Sequence, residues 1–485
     1  MRLLSRTILA LMLASAAALL IFGPRPNPHL QYRDGSPVPP NVTRIAYWEK
    51  WGGNEARQMN EIVDDFNNTV GREKKIFVQY LSISTVDKKT LTATAAGVPP
   101  DVAGLWDRQL TQFAAEDALE PLDNLAAEHG ITPDLYKPVY WKSCTYNGRL
   151  WGLVSTPYAY ALHYNKWHFW AAADRLRAAG LDPTRPPATL QDLDHYAKVL
   201  DLRDPGTGHI ERAGYLPMEP GWTIAVTAYW FGGNIFDEKT NKFTLTSPQN
   251  IAAFNWVRSY TLKLGDAAMS QFSGRFGELF NTPNNPFLTG QVSMVCQGPW
   301  MANYIYDLKP SMSEALVPYC LERYLPRVAR PFNYKWDVAP FPSAVPGLNG
   351  VTYDSFDVLV IPRGSHHKRE AFEFLAYVNR QDVQEKLCSM HCKNSVLASY
   401  SRDYIRTNPN PYIEMFEKLA ASPNARGTPT VPIYPLAEDE IKQAAQTAAL
   451  QLDVPVEQCL QETQDRLTQK LDQFLDGQRR RVAAR

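Results

Sequence analysis

The sequence lacks an excess of charge of either sign. Its 485 residues include 50 lysine and arginine residues and 50 aspartate and glutamate residues, so the formal net charge is zero. Nucleic-acid-binding proteins usually concentrate basic residues on one face. The balance therefore argues against a nucleic-acid partner and leaves an uncharged ligand open.

The common catalytic motifs are also missing. The chain has no Gly-x-Ser-x-Gly elbow, no Gly-x-x-x-x-Gly-Lys-Ser/Thr phosphate loop and no His-Glu-x-x-His zinc motif. The stretch "GTGHIE" (206–211) begins like a dinucleotide fingerprint, but Glu211 replaces its third glycine. We therefore expect no catalytic residues, no metal ion and no cofactor. A glycosidase needs only two facing carboxyl groups, which leave no sequence signature, so a carbohydrate-active enzyme stays as an alternative.

Cysteine is scarce, with 6 residues in the chain. Cys388 and Cys392 flank His391 in "CSMHC", but no second pair of ligands with matching spacing follows, as a zinc site would require. An exported protein can pair some of its cysteines. The sequence predicts buried free thiols or one local disulfide.

Only the N-terminus carries a long apolar run. Arg2 and Arg6 precede the apolar segment 8–22, which has the length of a signal-peptide core and is shorter than the roughly 20 residues of a membrane span. We expect residues 1–23 to be a signal peptide or an N-terminal anchor. The protein would then be exported, either periplasmic or tethered to the outer face of the cytoplasmic membrane. The proline-rich residues 24–42 predict a linker.

Strand-like and helix-like segments alternate from residue 43 onward, which predicts an α/β architecture, and the length predicts two lobes. Helices are predicted over 54–68, after an N-cap at Thr189, between Ser247 and Gly265, and over most of the region from about residue 437. Strands are predicted over 42–46, 76–84, 101–107, 158–165, 291–296 and 356–361.

Aromatic side chains next to polar ones recur at the ends of these strands. "YWEKW" follows the first strand, "GLWDR" ends another, and "QGPW" follows a third. Aromatic rings match the apolar faces of sugars, and charged or amide groups match the hydroxyl edges. Ligand pockets combine mostly apolar walls with a few placed polar groups. One such residue is usually part of a core, but the repetition indicates a ligand site where the carboxyl ends of the strands meet.

Several stretches resemble one family in sequence and in order, from about Thr43 to Asn379. Among them are "GVPPDVAGLWDR", "NGRLWGLVSTPYAYALHYNK" and "FLTGQVSMVCQGPWMANY". The chain is thereby similar to the family 1 extracellular solute-binding proteins, the sugar-binding components of bacterial ABC importers related to the maltose-binding type. "PYAYAL" followed by "YNK", and "GQVSMVCQGPW", are the most specific matches.

The resemblance implies a two-lobed α/β fold of the type II periplasmic-binding-protein class, with the ligand cleft between hinge-connected lobes. We expect lobe one to hold residues 43–157 and 354–405, and lobe two to hold 158–353 and 406–485. The implied function is capture of a mono- or oligosaccharide by hinge closure and its delivery to the permease subunits of an ABC transporter. We expect a monomer without enzymatic activity. An anchored sensory sugar-binding protein is a second alternative.

The resemblance also assigns candidate ligand-binding residues by motif. We expect Trp48 rather than Trp51 to line the cleft, and Trp300 to stack on the ligand. Tyr353 and Asp354 stand where small residues are usual in the family, which would narrow the pocket. The full set is Trp48, Glu49, Trp106, Asp107, Arg108, Tyr158, Tyr160, Glu219, Trp222, Trp300, Tyr353, Asp354 and Tyr434.

Overall fold

The computed structural model describes residues 30–218, 224–274, 281–314 and 334–483. Fifteen strands lie within these ranges. They are β1 (Thr43–Glu49), β2 (Ile76–Ser82), β3 (Val102–Trp106), β4 (Thr145–Tyr146), β5 (Arg149–Leu150), β6 (Leu153–Ala159), β7 (Ala161–Asn165), β8 (Leu202–Arg203), β9 (Ile210–Tyr215), β10 (Phe236–Asp237), β11 (Lys242–Phe243), β12 (Val292–Gln297), β13 (Trp336–Ala339), β14 (Thr352–Val360) and β15 (Ala425–Gly427).

Helices connect and cover these strands. In the same four ranges, three 3₁₀ helices span Pro133–Leu135, Ile224–Phe231 and Pro310–Ser313. The α-helices are α1 (Gly53–Asn68), α2 (Val70–Lys74), α3 (Val86–Ala95), α4 (Asp107–Ala115), α5 (Asp123–Glu128), α6 (Pro138–Ser143), α7 (Lys166–Ala171), α8 (Ala173–Ala178), α9 (Leu190–Leu200), α10 (Pro248–Leu264), α11 (Asp266–Gly274), α12 (Met301–Leu308), α13 (Lys368–Val378), α14 (Gln381–Met390), α15 (Arg402–Thr407), α16 (Ile413–Ala420), α17 (Tyr434–Leu450) and α18 (Val456–Ala483).

Two main sheets form the centres of two lobes. The first has the order β15-β14-β3-β1-β2, with β6 also paired to β14, and the second has the order β13-β7-β12-β9-β8. In the first sheet β1 runs parallel to β2 and β3, whereas β14 is antiparallel to β3. Parallel strands place their carboxyl ends at one edge, so the segments that follow β1 and β3 meet beside the middle of β14.

Local sequence signals account for the helices that cover these sheets. Helix α1 buries Met59, Ile62, Val63 and Phe66 on one stripe, as the 3.6-residue periodicity predicts. In α10 the Ser247 side chain accepts a hydrogen bond from the Asn250 amide, proline occupies the first turn, and Gly265 ends the helix. The predicted helices at these two positions are confirmed.

The chain passes between the sheets at Tyr160 and again between β13 and β14. The Tyr160 amide hydrogen-bonds Thr352 Oγ1 at 2.9 Å and the Tyr353 carbonyl at 3.1 Å, so the two crossing segments are joined. Strand β15 pairs with β14 in the first sheet, although it lies in the range 406–485 that we expected in lobe two. The exact lobe boundaries remain a prediction.

Residues 30–42, predicted as a linker, pack on the first lobe where the structure describes them. Tyr32, Val38 and Val42 form a small buried cluster with Phe77. Arg33 pairs with Asp65, and Arg72 with Asp34, each at 2.8 Å. This part of the segment therefore belongs to the folded body.

The C-terminal helices touch both lobes. Helix α17 packs against α4 of the first lobe and against α10 and the 3₁₀ helix Ile224–Phe231 of the second. Within the four described ranges, none of the helices combines the length and apolar content of a bilayer-spanning segment. The five described cysteines, Cys144, Cys296, Cys388, Cys392 and Cys459, are buried and form no disulfide with one another, and Cys320 lies outside the described residues.

Candidate ligand-binding cleft

A cavity of about 800 Å³ lies between the two lobes. The first lobe contributes the loop after β1, the start of α1, the end of β3, one residue of β6, the middle of β14 and the segment after α14, and the second lobe contributes Asn281, Trp300 and α12. The described lining residues are Lys50, Trp51, Gly52, Gly53, Asn54, Glu55, Trp106, Tyr158, Asn281, Trp300, Asn303, Tyr304, Asp307, Leu308, Asp357 and Lys393. We call this cavity the cleft.

Aromatic rings form the wall of the cleft next to the first crossing. The Trp300 ring makes edge-to-face contacts with Tyr158, at 4.7 Å between centroids, and with Tyr160, at 5.7 Å. A Cβ on Gly298 would clash with the Trp300 ring, so this glycine lets the indole fold back over the backbone. The local sequence "QGPW" thus fixes where the indole lies.

In the first lobe, Trp51 and Trp106 flank Lys50. The Lys50 ammonium lies 5.0 Å from the Trp51 ring centroid and 5.2 Å from that of Trp106. Trp48 is half-buried against the core and is not among the described lining residues. Strand β1 continues to Glu49 and buries Tyr47 and Glu49 on one face. Trp48 therefore points to the other face, while Trp51 follows the strand end and reaches the cleft.

Three buried charges, Asp357, Lys50 and Lys393, form the floor of the cleft, and a fourth, Glu49, lies behind them. Asp357 accepts from Lys50 at 3.0 Å through Oδ1 and from Lys393 at 2.8 Å through Oδ2. Lys50 also pairs with Glu49 at 3.1 Å, and every one of these side chains is at most 4% exposed. Burial alone would raise the pKa of Asp357, but the ammonium groups of Lys393 and Lys50 hold it well below its usual range.

The Glu49 carboxylate faces the interior of the first lobe. It accepts hydrogen bonds from the Tyr47 hydroxyl and from the Lys50 amide. A Cβ on Gly104 of the neighbouring strand β3 would clash with this carboxylate, so the glycine provides its space. Glu49 thus supports Lys50 from behind.

Asp107 and Arg108 lie at the end of β3, where α17 and the segment after β15 cover them. The buried Asp107 carboxylate accepts hydrogen bonds from Ser355 Oγ at 2.8 Å, from Thr428 Oγ1 and from the Arg108 amide. Burial raises the pKa of Asp107 to about 7 against the opposing effect of these bonds. Arg108 pairs with Glu438 of α17 at 3.0 Å. Neither residue is among the described lining residues.

The remaining candidates lie around the crossing strands. The Tyr353 hydroxyl shares a 2.8 Å hydrogen bond with Thr428, and its ring lies 5.7 Å from that of Tyr160. Tyr434 is buried at the start of α17. Glu219 and Trp222 lie outside the described residues. Of the candidates, the structure therefore brings Trp106, Tyr158 and Trp300 together in the cleft lining.

Several residues of the cleft were not predicted from the sequence. Asn303, Tyr304 and Asp307 line it from α12, which begins directly after the "GPW" stretch. Residues three and four apart share one face of a helix, so extending that motif by two turns would have found them. Asp357 and Lys393 have no such signal, because their partner Lys50 is distant in the sequence.

Asp354 is buried on β14 and is expected to make stability depend on pH. Its Oδ1 accepts from the Tyr140 hydroxyl at 2.8 Å, while its Oδ2 has no hydrogen-bond partner in the described part of the chain. Burial raises the pKa of Asp354 from 3.8 to about 7, so the folded protein keeps a proton that the unfolded chain has lost. Stability from this group therefore falls as the pH rises from about 4 to above 7.

The variant Asp354→Asn cannot ionise and should gain stability relative to the wild type over that window. We expect its urea midpoint to exceed that of the wild type by more at pH 8 than at pH 5. Asp107 titrates in the same range but is present in both proteins, so its effect cancels. The control is Asp403→Asn, whose carboxylate is 76% exposed. The same difference from wild type at both pH values would contradict the assignment.

Comparison with known proteins agrees with this architecture. Residues 52–385 match the family model described as bacterial extracellular solute-binding protein. The maltotriose-binding protein of Pyrococcus abyssi (strain GE5 / Orsay) is 23% identical over 295 residues, covering 59% of this chain and 56% of the relative. The sn-glycerol-3-phosphate-binding periplasmic protein UgpB of Escherichia coli (strain K12) is 27% identical over 212 residues, covering 42% and 44%. The matches thus span about half the length of these curated relatives.

Solved structures confirm the expected two-lobed fold. CpMnBP1 with mannobiose bound superposes with a TM-score of 0.70 at 23% identity, covering 87% of this chain and 99% of that one. The sugar-binding protein MalE from Xanthomonas citri gives 0.66 at 20% identity, covering 91% and 100%. The family model spans well over half of the chain. The protein belongs to the family of bacterial extracellular solute-binding proteins.

Proposed function

We propose that the protein captures a carbohydrate in the cleft and delivers it to the permease subunits of an ABC importer. The observation that carries the proposal is the cleft wall, where Trp51, Trp106 and Trp300 stand near charged and amide groups from both lobes. The names of a maltotriose-binding relative and of a mannobiose-bound structure support this class of ligand. The protein acts outside the cytoplasm as a monomer and leaves its ligand chemically unchanged.

Closure of the two lobes around the ligand is the proposed mechanism. Asn54 Nδ2 of the first lobe donates to Asp307 Oδ2 of the second at 2.6 Å, across the rim of the cleft. Asn303 of α12 accepts from Cys392 Sγ at 2.9 Å on the first lobe. A saccharide that touches both walls adds further contacts between the lobes, and only contacts made in the closed form shift the equilibrium toward it.

The charges of the cleft favour an uncharged ligand over a phosphate ester. Among the described lining residues, Lys50 and Lys393 are outnumbered by Glu55, Asp307 and Asp357. Both ammonium groups already pair with Asp357. The described walls therefore offer no surplus positive charge to a phosphate group, which is normally held by basic side chains or amide groups.

A thermal-shift screen tests the proposal. We expect maltotriose, mannobiose or mannotriose to raise the melting temperature, because a ligand at 100 times its Kd adds about 2.7 kcal/mol to the free energy of unfolding. Glycerol 3-phosphate at the same concentration should leave it unchanged. A shift with glycerol 3-phosphate and none with a broad panel of saccharides would overturn the proposal. Chromatography of the recovered saccharide should show it intact, and cleavage would point to a carbohydrate-active enzyme.

A further inference from the structure

The two lysines on the floor of the cleft differ in how many of their N–H groups are used. An ammonium group has three hydrogen-bond donors. Lys50 Nζ lies 3.1 Å from Glu49 Oε1, 3.0 Å from Asp357 Oδ1 and 3.1 Å from the Leu105 carbonyl. All three of its donors have acceptors within the first lobe, so Lys50 holds the floor together and has no N–H left for a ligand.

Lys393 has two acceptors in the part of the chain that the structure describes. Its Nζ donates to Asp357 Oδ2 at 2.8 Å and to Thr156 Oγ1 at 3.0 Å. The Thr156 hydroxyl in turn donates to Asp357 Oδ2 at 2.7 Å, so the three groups form a closed triangle. One ammonium N–H is left over, and the side chain lines the cleft although only 4% of it is exposed.

We propose that Lys393 is a ligand-binding residue whose third N–H donates a hydrogen bond to a hydroxyl or ring oxygen of the saccharide. This inference rests on the proposed function. A buried donor without an acceptor is costly, and a saccharide oxygen in the cleft supplies the missing acceptor. Bonds from a charged donor are stronger than those between neutral groups.

The surroundings of Lys393 fit this role. Rings of Tyr158 and Trp51 lie 5.4 Å and 5.6 Å from its ammonium group, which stabilises the positive charge and limits where Nζ can lie. Asp357 acts as the positioning residue, because its carboxylate anchors Lys393 through one oxygen and Lys50 through the other. The aromatic faces and the ammonium donor thus lie close enough to contact one sugar ring together.

The test compares ligand affinity and stability in three variants. Lys393→Met removes the donor and leaves Asp357 with one cation fewer. The double variant Lys393→Met with Asp357→Asn removes both charges, so Lys50 and Glu49 remain as a balanced pair. The control is Lys137→Met, which removes another lysine that is 3% exposed, pairs with Glu417 at 2.8 Å and does not line the cleft.

Affinity is measured by titration calorimetry with whichever of maltotriose, mannobiose and mannotriose gives the largest thermal shift on the wild type. We expect Lys393→Met to bind about tenfold more weakly or worse, as for the loss of a charged hydrogen bond. Compared with Lys393→Met, the double variant should have a higher melting temperature but no higher affinity. Lys137→Met should lose stability and keep wild-type affinity.

Each outcome separates the two proposals. Wild-type affinity in a folded Lys393→Met variant would overturn the role of Lys393 and leave the proposed function standing. Recovery of affinity in the double variant would also overturn it, because Lys393 would then act only as a counter-ion for Asp357. Failure of the wild type to bind any saccharide of the broad panel used in the thermal-shift screen would overturn both.

Discussion

Replacing Asp357 by alanine is expected to lower the free energy of unfolding by about 3–5 kcal/mol, the usual cost of removing one partner from a buried ion pair. The carboxylate is 4% exposed and lies between the ammonium groups of Lys50 and Lys393. Without it, Lys393 keeps only the Thr156 hydroxyl as an acceptor, and Lys50 keeps Glu49 and a carbonyl. One buried positive charge is then uncompensated.

Urea denaturation of wild type and Asp357→Ala at pH 7 measures this effect. The matched control is Asp403→Ala, which breaks an ion pair with Arg406 whose side chains are 76% and 77% exposed, and it should change stability by no more than about 0.5 kcal/mol. The pKa of Asp357 is depressed in the folded state, so its contribution is present above its ordinary pKa and is lost only as the pH falls below it. A loss under about 1 kcal/mol at pH 7 would mean that the cluster does not stabilise the fold.

Replacing Trp300 by alanine is expected to weaken saccharide binding at least tenfold. Stacking on an aromatic ring is worth about 1–3 kcal/mol per base in nucleic-acid complexes, and we apply that scale to a sugar ring by analogy. The indole lies against Tyr158 and Tyr160 on the cleft wall and is 8% exposed. Its removal therefore takes away both a stacking surface and a packing contact.

Two further variants separate binding from packing. Trp300→Phe keeps an aromatic ring and should fold, with a smaller loss of affinity. Trp336→Phe replaces a buried tryptophan of the second sheet, which does not line the cleft, by a smaller ring. This variant should lose stability but keep wild-type affinity. Titration calorimetry with the saccharide identified in the screen gives the affinities. Equal affinities for wild type and a folded Trp300 variant would show that the indole is only a core residue.

The sequence predicted those features of the fold that depend on neighbouring residues. The apolar stripe of α1 and the Ser247 cap and Gly265 stop of α10 are local signals, and the structure confirms them. The sequence could not show which of Trp48 and Trp51 faces the cleft, because that depends on the residue at which β1 ends. The alternation of apolar and polar residues that predicts this strand ends at residue 46. In the structure the strand continues to Glu49, so Trp48 points away from the cleft.

The candidate site was less predictable because its polar contacts join distant parts of the chain. Asp107 has Thr428 as a partner, 321 positions away, and the family motif alone gives no sign that its carboxylate is already engaged. Lys393 pairs with Asp357, which is 36 positions away in the sequence. Asp357 also pairs with Lys50, which lies near the start of the first lobe. Such pairings arise from sheet order, with β14 next to β3 and β3 next to β1, and no local pattern encodes them.

A crystal structure of the protein grown with the saccharide that gives the largest thermal shift would show whether the cleft is the carbohydrate-binding site. We expect the sugar in the cleft, with one ring face against Trp300 and an oxygen within hydrogen-bond distance of Lys393 Nζ. A second crevice of about 690 Å³ lies between α6, β10 and residues 420–430. A sugar bound there, or anywhere else on the surface while the cleft stays empty, would contradict it.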